Sequence, residues 1–275
     1  MFNINDEKTT LVAQGFTIPS KPECLSQIHD EQRHENPDLN RTAEIVASDV
    51  GLSANILKAI NSPMFGLGRT VTDIQQSVML LGLQNVINLV TFCEMRHHLS
   101  GEACIPLAQF WDTAVETARM MTATLNLLQL KRDCPIEDVY AFGLFHDCGI
   151  AVMAMRFNDY NETLIEADVS PEQDITAIEE QHYMTNHATL GYFVATSWNL
   201  PIPICALILR HHEAGLLDDD SVDDFLKDLY GLLAISENIL NIYRSGEQDS
   251  KWGRIKGRIF LRFGISEMDY DDLVS

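Results

Sequence analysis

The sequence contains few basic residues for its length. Its 275 residues include 19 Lys and Arg against 40 Asp and Glu, which gives a formal net charge of -21 at pH 7. A field of this sign repels the phosphates of nucleic acids and the headgroups of anionic membranes. We therefore expect neither a nucleic-acid partner nor a membrane partner, and we interpret the acidity as a contribution to solubility.

The sequence also lacks the features that mark secreted, membrane-spanning or redox-active proteins. Residues 1–10 contain no basic stretch followed by an apolar run, so no secretory signal is predicted. No uninterrupted apolar stretch approaches the roughly 20 residues that a membrane helix needs. None of the six cysteines is spaced as CxxC, which argues against a zinc ribbon or a redox motif. We expect a cytoplasmic, reduced protein.

No segment alternates apolar and polar residues for long enough to predict a strand, and neither a P-loop nor a GxGxxG motif is present. Apolar residues instead recur at helical spacing along most of the chain, which predicts an all-α fold. The predicted joint lies at residues 100–103, so we divide the chain into two helical parts, residues 1–104 and residues 105–275. Residues 72–75 have the spacing of a capping box with Thr72 as the cap.

The strongest local motif is GLFHDCG at residues 143–149. His146 and Asp147 stand next to each other at the end of an apolar helical segment, where both can face one cavity. An imidazole nitrogen and a carboxylate oxygen together form a donor set that suits Zn, Mn or Fe. The alternative is a helix-end histidine whose ring bonds a backbone carbonyl.

Two later motifs add three histidines. In HATLG, at residues 187–191, His187 lies one turn before Gly191 on the same helix face, and a residue without a side chain allows another backbone to approach closely. In ILRHHE, at residues 208–213, His211 and His212 come after an apolar run that ends at Leu209. A metal site would explain these histidines, and so would polar residues at a helix end.

In this order, GLFHDCG, HATLG, WNLP at residues 198–201 and ILRHHE resemble the HD superfamily of metal-dependent phosphohydrolases. Within it, the similarity is closest to the HD-related output domain (HDOD) family. ASDVGLSANILKAINSPMFG at residues 47–66 and TDIQQSVMLLGLQNVINLV at residues 72–90 are similar to the opening half of HDOD domains. The resemblance implies a two-part helical HDOD fold whose C-terminal part is an HD-like helical core.

The resemblance also implies a ligand set of His, then His-Asp, then a later Asp, and two of these positions are vacant. The first falls at Thr113 and the last at Ser236, and Glu116 and Glu237 are the possible substitutes. The candidate metal ligands that remain are His146, Asp147, His187, His211 and His212. This incomplete set implies no firm cofactor, with Zn, Mn, Fe or Mg as the divalent metals to test.

Two functions are compatible with this pattern. The resemblance and the vacant positions favour a non-catalytic signalling or regulatory module that binds a signalling protein partner or a small nucleotide-like ligand. The alternative is a metal-dependent phosphohydrolase acting on a phosphoester or nucleotide, in which the metal polarises a phosphoryl oxygen. No catalytic residue is assigned, and Arg210 is the nearest basic side chain in sequence that could steady a phosphate.

Overall fold

A computed structural model describes residue 16 and residues 19–62, 67–128, 134–170, 172–249 and 251–274. Within these residues all regular secondary structure is helical, and no strand is present. The predicted all-α fold is therefore confirmed. The short helix that residues 63–66 could begin lies outside the described residues.

Contacts divide the chain into two compact units, and the helices of the first come from residues 19–100. They are α1 (Glu23–Gln32), α2 (Leu39–Ala47), α3 (Val50–Ile60) and α4 (Ile74–His98). The long helix α4 packs against α2 and α3. It is interrupted at Gly82, whose φ of 74° lies in the left-handed region that favours glycine.

The helices of the second unit come from residues 101–275. They are α5 (Leu107–Leu127), α6 (Ile136–Phe145), α7 (Cys148–Arg156), α8 (Tyr160–Val169), α9 (Ile175–Tyr183), α10 (His187–Ser197), α11 (Ile202–Arg210), α12 (Asp224–Ser245), α13 (Trp252–Phe263) and α14 (Glu267–Val274). Helix α5 packs against α6 and α12, and α10 packs against α7 and α11. These contacts bring the segments that carry the sequence motifs together.

The core of the second unit is built around large aromatic side chains. Trp111, Trp198 and Trp252 are each at most 1% exposed, and Phe142 and Phe145 on α6 are fully buried. Burying one such side chain stabilises a fold by about 1.5–3 kcal/mol. Helix α6 therefore lies inside the core, which fixes the position of the His146-Asp147 pair that follows it.

The start of α4 corrects one local prediction. The N-cap is Asp73 rather than Thr72, and the Asp73 carboxylate accepts a hydrogen bond from the backbone N–H of Gln76 at 2.7 Å. Aspartate ranks above threonine as an N-cap because its carboxylate is the stronger acceptor at the positive end of a helix.

Two helical stretches, Ile74–His98 and Ile136–Arg156, are long and apolar enough to cross a membrane by length and composition. In the fold, however, 56% and 72% of their apolar windows are buried against other parts of the chain. Gly82 interrupts the first stretch, and the His146-Asp147 pair interrupts the second. This burial is typical of core helices in a soluble domain, and the cytoplasmic location stays a prediction.

Gly149 is the last residue of the GLFHDCG motif, and its surroundings yield a test of the packing that supports the motifs. It lies in the first turn of α7, where an added Cβ would stand 1.9 Å from the carbonyl oxygen of His187 and 2.6 Å from the backbone nitrogen of Gly191. We expect Gly149→Ala to lower the free energy of unfolding by at least the roughly 1–3 kcal/mol typical of overpacking, because backbone atoms cannot move aside.

The matched control is Gly257→Ala on α13, where an added Cβ meets no atom within 4 Å. It should be neutral or stabilising by about 0.4–1 kcal/mol, since alanine restricts the unfolded chain. Urea denaturation of both variants measures the difference. Equal stabilities for the two variants would contradict the close packing of α7 on α10.

Candidate metal centre

The ends of helices position the predicted ligands. His146 and Asp147 form the junction between α6 and α7, and His187 is the first residue of α10. The Asn186 side chain caps α10 by accepting from the backbone N–H of Thr189 at 2.8 Å. Because these residues stand where helices begin or end, their side chains can point into the interior without interrupting a helix.

His211 and His212 follow α11, whose last residue is Arg210. The apolar face of α11, including Ile204, Leu207 and Ile208, is buried. This burial carries the end of α11 into the core. The structure thus brings together all five predicted ligand residues, and we call them the cluster: His146, Asp147, His187, His211 and His212.

Asp147 lies at the centre of the cluster. Its Oδ1 is 3.1 Å from His211 Nε2 and 3.5 Å from His187 Nε2, and its Oδ2 is 3.2 Å from His146 Nε2. His212 Nε2 is 2.9 Å from His187 Nε2. One ligand atom from each of Asp147, His187, His211 and His212 lies within 4.8 Å of the others, a spacing at which one metal ion can contact them all.

The second nitrogen of three of these rings is held by an acceptor. His146 Nδ1 is 3.0 Å from the carbonyl oxygen of Gly143, and His211 Nδ1 is 2.6 Å from that of Ile208. His187 Nδ1 is 2.8 Å from a carboxylate oxygen of Glu179. Because these acceptors hold a proton on each Nδ1, Nε2 is the nitrogen left to face Asp147. Metal-binding histidines are oriented in this way, so the cluster fits a divalent metal.

Glu179 on α9 is the site residue that sequence reasoning missed. Its carboxylate is fully buried, accepts from the ring and from the backbone N–H of His187 at 3.0 Å, and also accepts from the hydroxyl of Tyr160. A signal was present in the sequence, because Glu179 stands four residues after Ile175 and four before Tyr183. A carboxylate in register with apolar residues predicts a buried acid with a dedicated partner.

The two candidates for the late acidic position, Ser236 and Glu237, have different surroundings in the structure. Glu237 Oε1 lies 3.3 Å from His146 Nε2, and His146, Asp147 and Glu237 form a second group with ligand spacing. Ser236 is fully buried, and its hydroxyl donates to the carbonyl oxygen of Leu232 at 2.7 Å. Of the two, Glu237, the expected substitute, is therefore the residue whose side chain reaches the cluster, since adjacent positions on α12 point about 100° apart. The vacancy at Ser236 stays a prediction.

The other vacant position lies on α5. Thr113 lines the cavity beside the cluster together with Ala114 and Thr117, and none of the three carries a strong metal ligand. Glu116, the expected substitute for Thr113, is not among the residues that line this cavity. Its carboxylate is exposed and pairs with the Arg244 guanidinium at 2.5 Å.

The charges in the cluster depend on one another. Burial acts to raise the pKa of Asp147, but the His146 ring and the other histidines around this carboxylate together outweigh burial, and the pKa lies well below its usual value. Burial acts to lower the pKa of His146, but the carboxylates of Asp147 and Glu237 prevail and raise it well above 6.5. Burial and the adjacent His211 ring lower the pKa of His212 well below its usual value.

These charges make metal binding pH-dependent. Since the pKa of His146 is raised, its Nε2 carries a proton at neutral pH, and a metal can bind there only when that proton leaves. We expect about one proton released per metal bound at pH 7, with affinity rising about tenfold per pH unit until the pKa of His146 is passed. Titration calorimetry in two buffers of different ionisation enthalpy counts the protons, and identical heats in both would contradict the raised pKa.

A cavity of about 650 Å³ opens beside the cluster, a volume in the range of small-molecule sites. His146, Asp147, His211, His212 and Glu237 form one wall. The polar lining also includes Gln173, Asp174, Asn241, Arg244, Lys251 and Arg254. Arg210, the basic residue favoured by sequence, is not part of it, because its guanidinium pairs with Glu213 at 2.7 Å and Asp219 at 2.8 Å.

A known family matches most of this chain. The model of the HDOD domain matches residues 18–214, which is well over half of the chain. The chain therefore belongs to the HDOD family. The match ends before Glu237 and Lys251, so these two cavity residues are features of this chain beyond the matched segment.

A curated relative, an uncharacterized protein of Treponema pallidum, is 31% identical over 204 residues. The alignment covers 71% of this chain and 37% of the relative. The chain thus spans little more than a third of the length of that relative.

Two solved structures share the fold. A protein from Shewanella amazonensis, named as a candidate phosphohydrolase, is 20% identical with a TM-score of 0.69, and the alignment covers 96% of this chain and 92% of that one. A protein from Marinobacter aquaeolei, named as a candidate signal transduction protein, is 18% identical with a TM-score of 0.66, covering 94% of this chain and 57% of that one.

Proposed function

We propose that this chain is a regulatory HDOD module whose second unit binds a divalent metal and a small polar ligand, without turning that ligand over. The observation that carries the proposal is the cluster itself, in which histidine nitrogens converge on Asp147 at the wall of a cavity. A flat protein interface needs no such cavity. The cavity therefore suits a nucleotide-sized ligand better than it suits a protein partner.

The residues that would hold the metal are the five of the cluster together with Glu237. A bound divalent metal supplies a Lewis acid that polarises a phosphoryl oxygen and lowers the pKa of water. The wall formed by α5 offers Thr113 where the family resemblance implies a histidine. One ligand fewer leaves the metal held less rigidly, and catalysis depends on rigid positioning because a small displacement of a reacting group costs about a hundredfold in rate.

The second candidate function is a metal-dependent phosphohydrolase. It is favoured by Glu237, whose carboxylate lies 3.3 Å from His146 Nε2 and would serve as the late acidic ligand in place of the vacant position at Ser236. The Shewanella amazonensis protein that shares this fold is named as a candidate phosphohydrolase, and at 20% identity the similarity shows the fold alone.

The two functions are separated by measuring binding and turnover together. The chain, with Zn or Mn added, is heated in the presence of nucleoside monophosphates and cyclic dinucleotides, and the nucleotides are then analysed by chromatography. We expect the metal to raise the melting temperature, at least one nucleotide to raise it further, and every nucleotide to be recovered unchanged. A binder present at a hundredfold excess over its dissociation constant stabilises by about 2.7 kcal/mol.

Each contrary result has a distinct meaning. If a nucleotide is hydrolysed and this hydrolysis disappears in Asp147→Asn, the chain is a phosphohydrolase and not a non-catalytic regulatory module. A metal-dependent shift that no nucleotide increases would contradict the small ligand and favour a signalling protein partner. No shift with any metal would contradict the metal centre.

A further inference from the structure

Lys251 stands between α12 and α13 and points at the cluster. Its Nζ is 3.1 Å from His212 Nδ1 and 3.8 Å from Asp174 Oδ1. Its backbone N–H donates to Asp249 Oδ1 at 2.7 Å, which fixes the start of α13. Neither the sequence motifs nor the family match includes this residue.

The hydrogen bonds around Lys251 can be assigned a direction because an ammonium group only donates. His212 Nδ1 must therefore accept, and the proton of that ring lies on Nε2. His212 Nε2 is 2.9 Å from His187 Nε2. The His187 ring already donates its Nδ1 proton to the buried carboxylate of Glu179 at 2.8 Å, so its Nε2 is the acceptor.

One directed chain of hydrogen bonds results, from the ammonium of Lys251 through His212 and His187 to Glu179. Within it, the Nε2 of His212 carries a proton, and the Nε2 lone pair of His187 accepts that proton. Neither nitrogen can bind a cation in this arrangement, because a metal ligand must present a free lone pair. His146 and His211 donate their Nδ1 protons to backbone carbonyls, so these two rings are not part of this series of hydrogen bonds.

We propose that Lys251 sets the metal affinity of the cluster by holding His212 in the tautomer that donates to His187. This inference rests on the proposed metal centre. A cation can reach His187 and His212 only after the His212 proton moves from Nε2 to Nδ1, and this move breaks the hydrogen bond from Lys251. The lysine thus competes with the metal for the same side of the cluster.

The test measures Zn binding by titration calorimetry for the natural chain, Lys251→Met, His212→Ala and the double variant. Methionine keeps the length and the packing of the lysine stem but cannot donate. We expect Lys251→Met to bind Zn about tenfold more tightly, since a partner that controls a ligand histidine usually changes metal affinity by about 10–100-fold. In the His212→Ala background the same substitution should change the affinity by less than about threefold, because the ring through which it acts is gone.

A second measurement reads the tautomer directly. Nitrogen-15 spectra of the histidine rings should show His212 protonated on Nε2 in the metal-free natural chain and no longer restricted to that tautomer in Lys251→Met. If the natural chain and Lys251→Met both bind Zn with equal affinity, the proposed role of Lys251 is wrong and the metal centre still stands. If Lys251→Met raised the Zn affinity equally in the His212→Ala background, the lysine would act by repelling the metal charge and not through the tautomer of His212. No Zn binding by either chain would overturn both this proposal and the metal centre.

Discussion

Replacing Asp147 by Asn will reduce the affinity for Zn or Mn by more than about a hundredfold, beyond the 10–100-fold typical of partners that only orient a ligand. Asp147 belongs to both groups with ligand spacing, and its two oxygens lie between three histidine rings. Asparagine keeps the shape of the side chain but removes the charge and one acceptor oxygen. Titration calorimetry with each metal measures the loss.

The matched control is Asp168→Asn, which removes a carboxylate from the wall of the same cavity but not from the cluster. It should bind metal with an affinity within about threefold of the natural chain, because Asp168 is exposed and solvent screens its charge. Circular dichroism checks that both variants are folded. An affinity for Asp147→Asn equal to that of the control would show that the carboxylate is not a ligand.

Replacing Glu179 by Ala will lower the free energy of unfolding by about 3–5 kcal/mol, the usual result of removing one partner from a buried charged pair. The substitution leaves the buried ring and backbone N–H of His187 and the hydroxyl of Tyr160 without their acceptor. Metal affinity should fall as well, by about 10–100-fold, because His187 loses the group that orients its ring. Urea denaturation and titration calorimetry measure the two effects.

Two further variants separate the charge from the packing. Glu180→Ala removes the exposed neighbouring carboxylate, whose contact is with the side-chain amide of Asn186, and should cost no more than about 1 kcal/mol. Glu179→Gln retains an acceptor for one hydrogen bond, so its stability should fall between those of the natural chain and Glu179→Ala. Similar losses for Glu179→Ala and Glu180→Ala would contradict the buried pair.

The fold and the centre of the site were accessible from sequence because their signals are local. The spacing of apolar residues predicts helices at His187–Trp198 and Ile202–His212. The structure has α10 at His187–Ser197 and α11 at Ile202–Arg210, a difference of at most two residues at the C-terminal ends. GLFHDCG, HATLG and ILRHHE each carry a histidine at a helix end, and the order of these motifs indicated the family. Gly191, expected to allow a close approach, faces Ile208 and Gly149.

The remaining residues of the site could not be predicted, because their positions depend on contacts between segments that are distant in sequence. Glu179 and Lys251 meet the cluster only because α9 and the start of α13 fold back on it, and neither residue stands in a motif. The choice between Ser236 and Glu237 depends on the rotation of α12, which a one-residue error in register changes by about 100°. Sequence spacing gives the face of a helix, but the neighbours of that face are set by packing.

The most direct test of the metal centre is elemental analysis of the chain, purified without chelators or a histidine tag and dialysed against Zn, Mn or Fe. We expect at least one metal ion per chain for the natural sequence and for Asp168→Asn, and a substoichiometric amount for Asp147→Asn. A natural chain that retains no more metal than Asp147→Asn would contradict the centre.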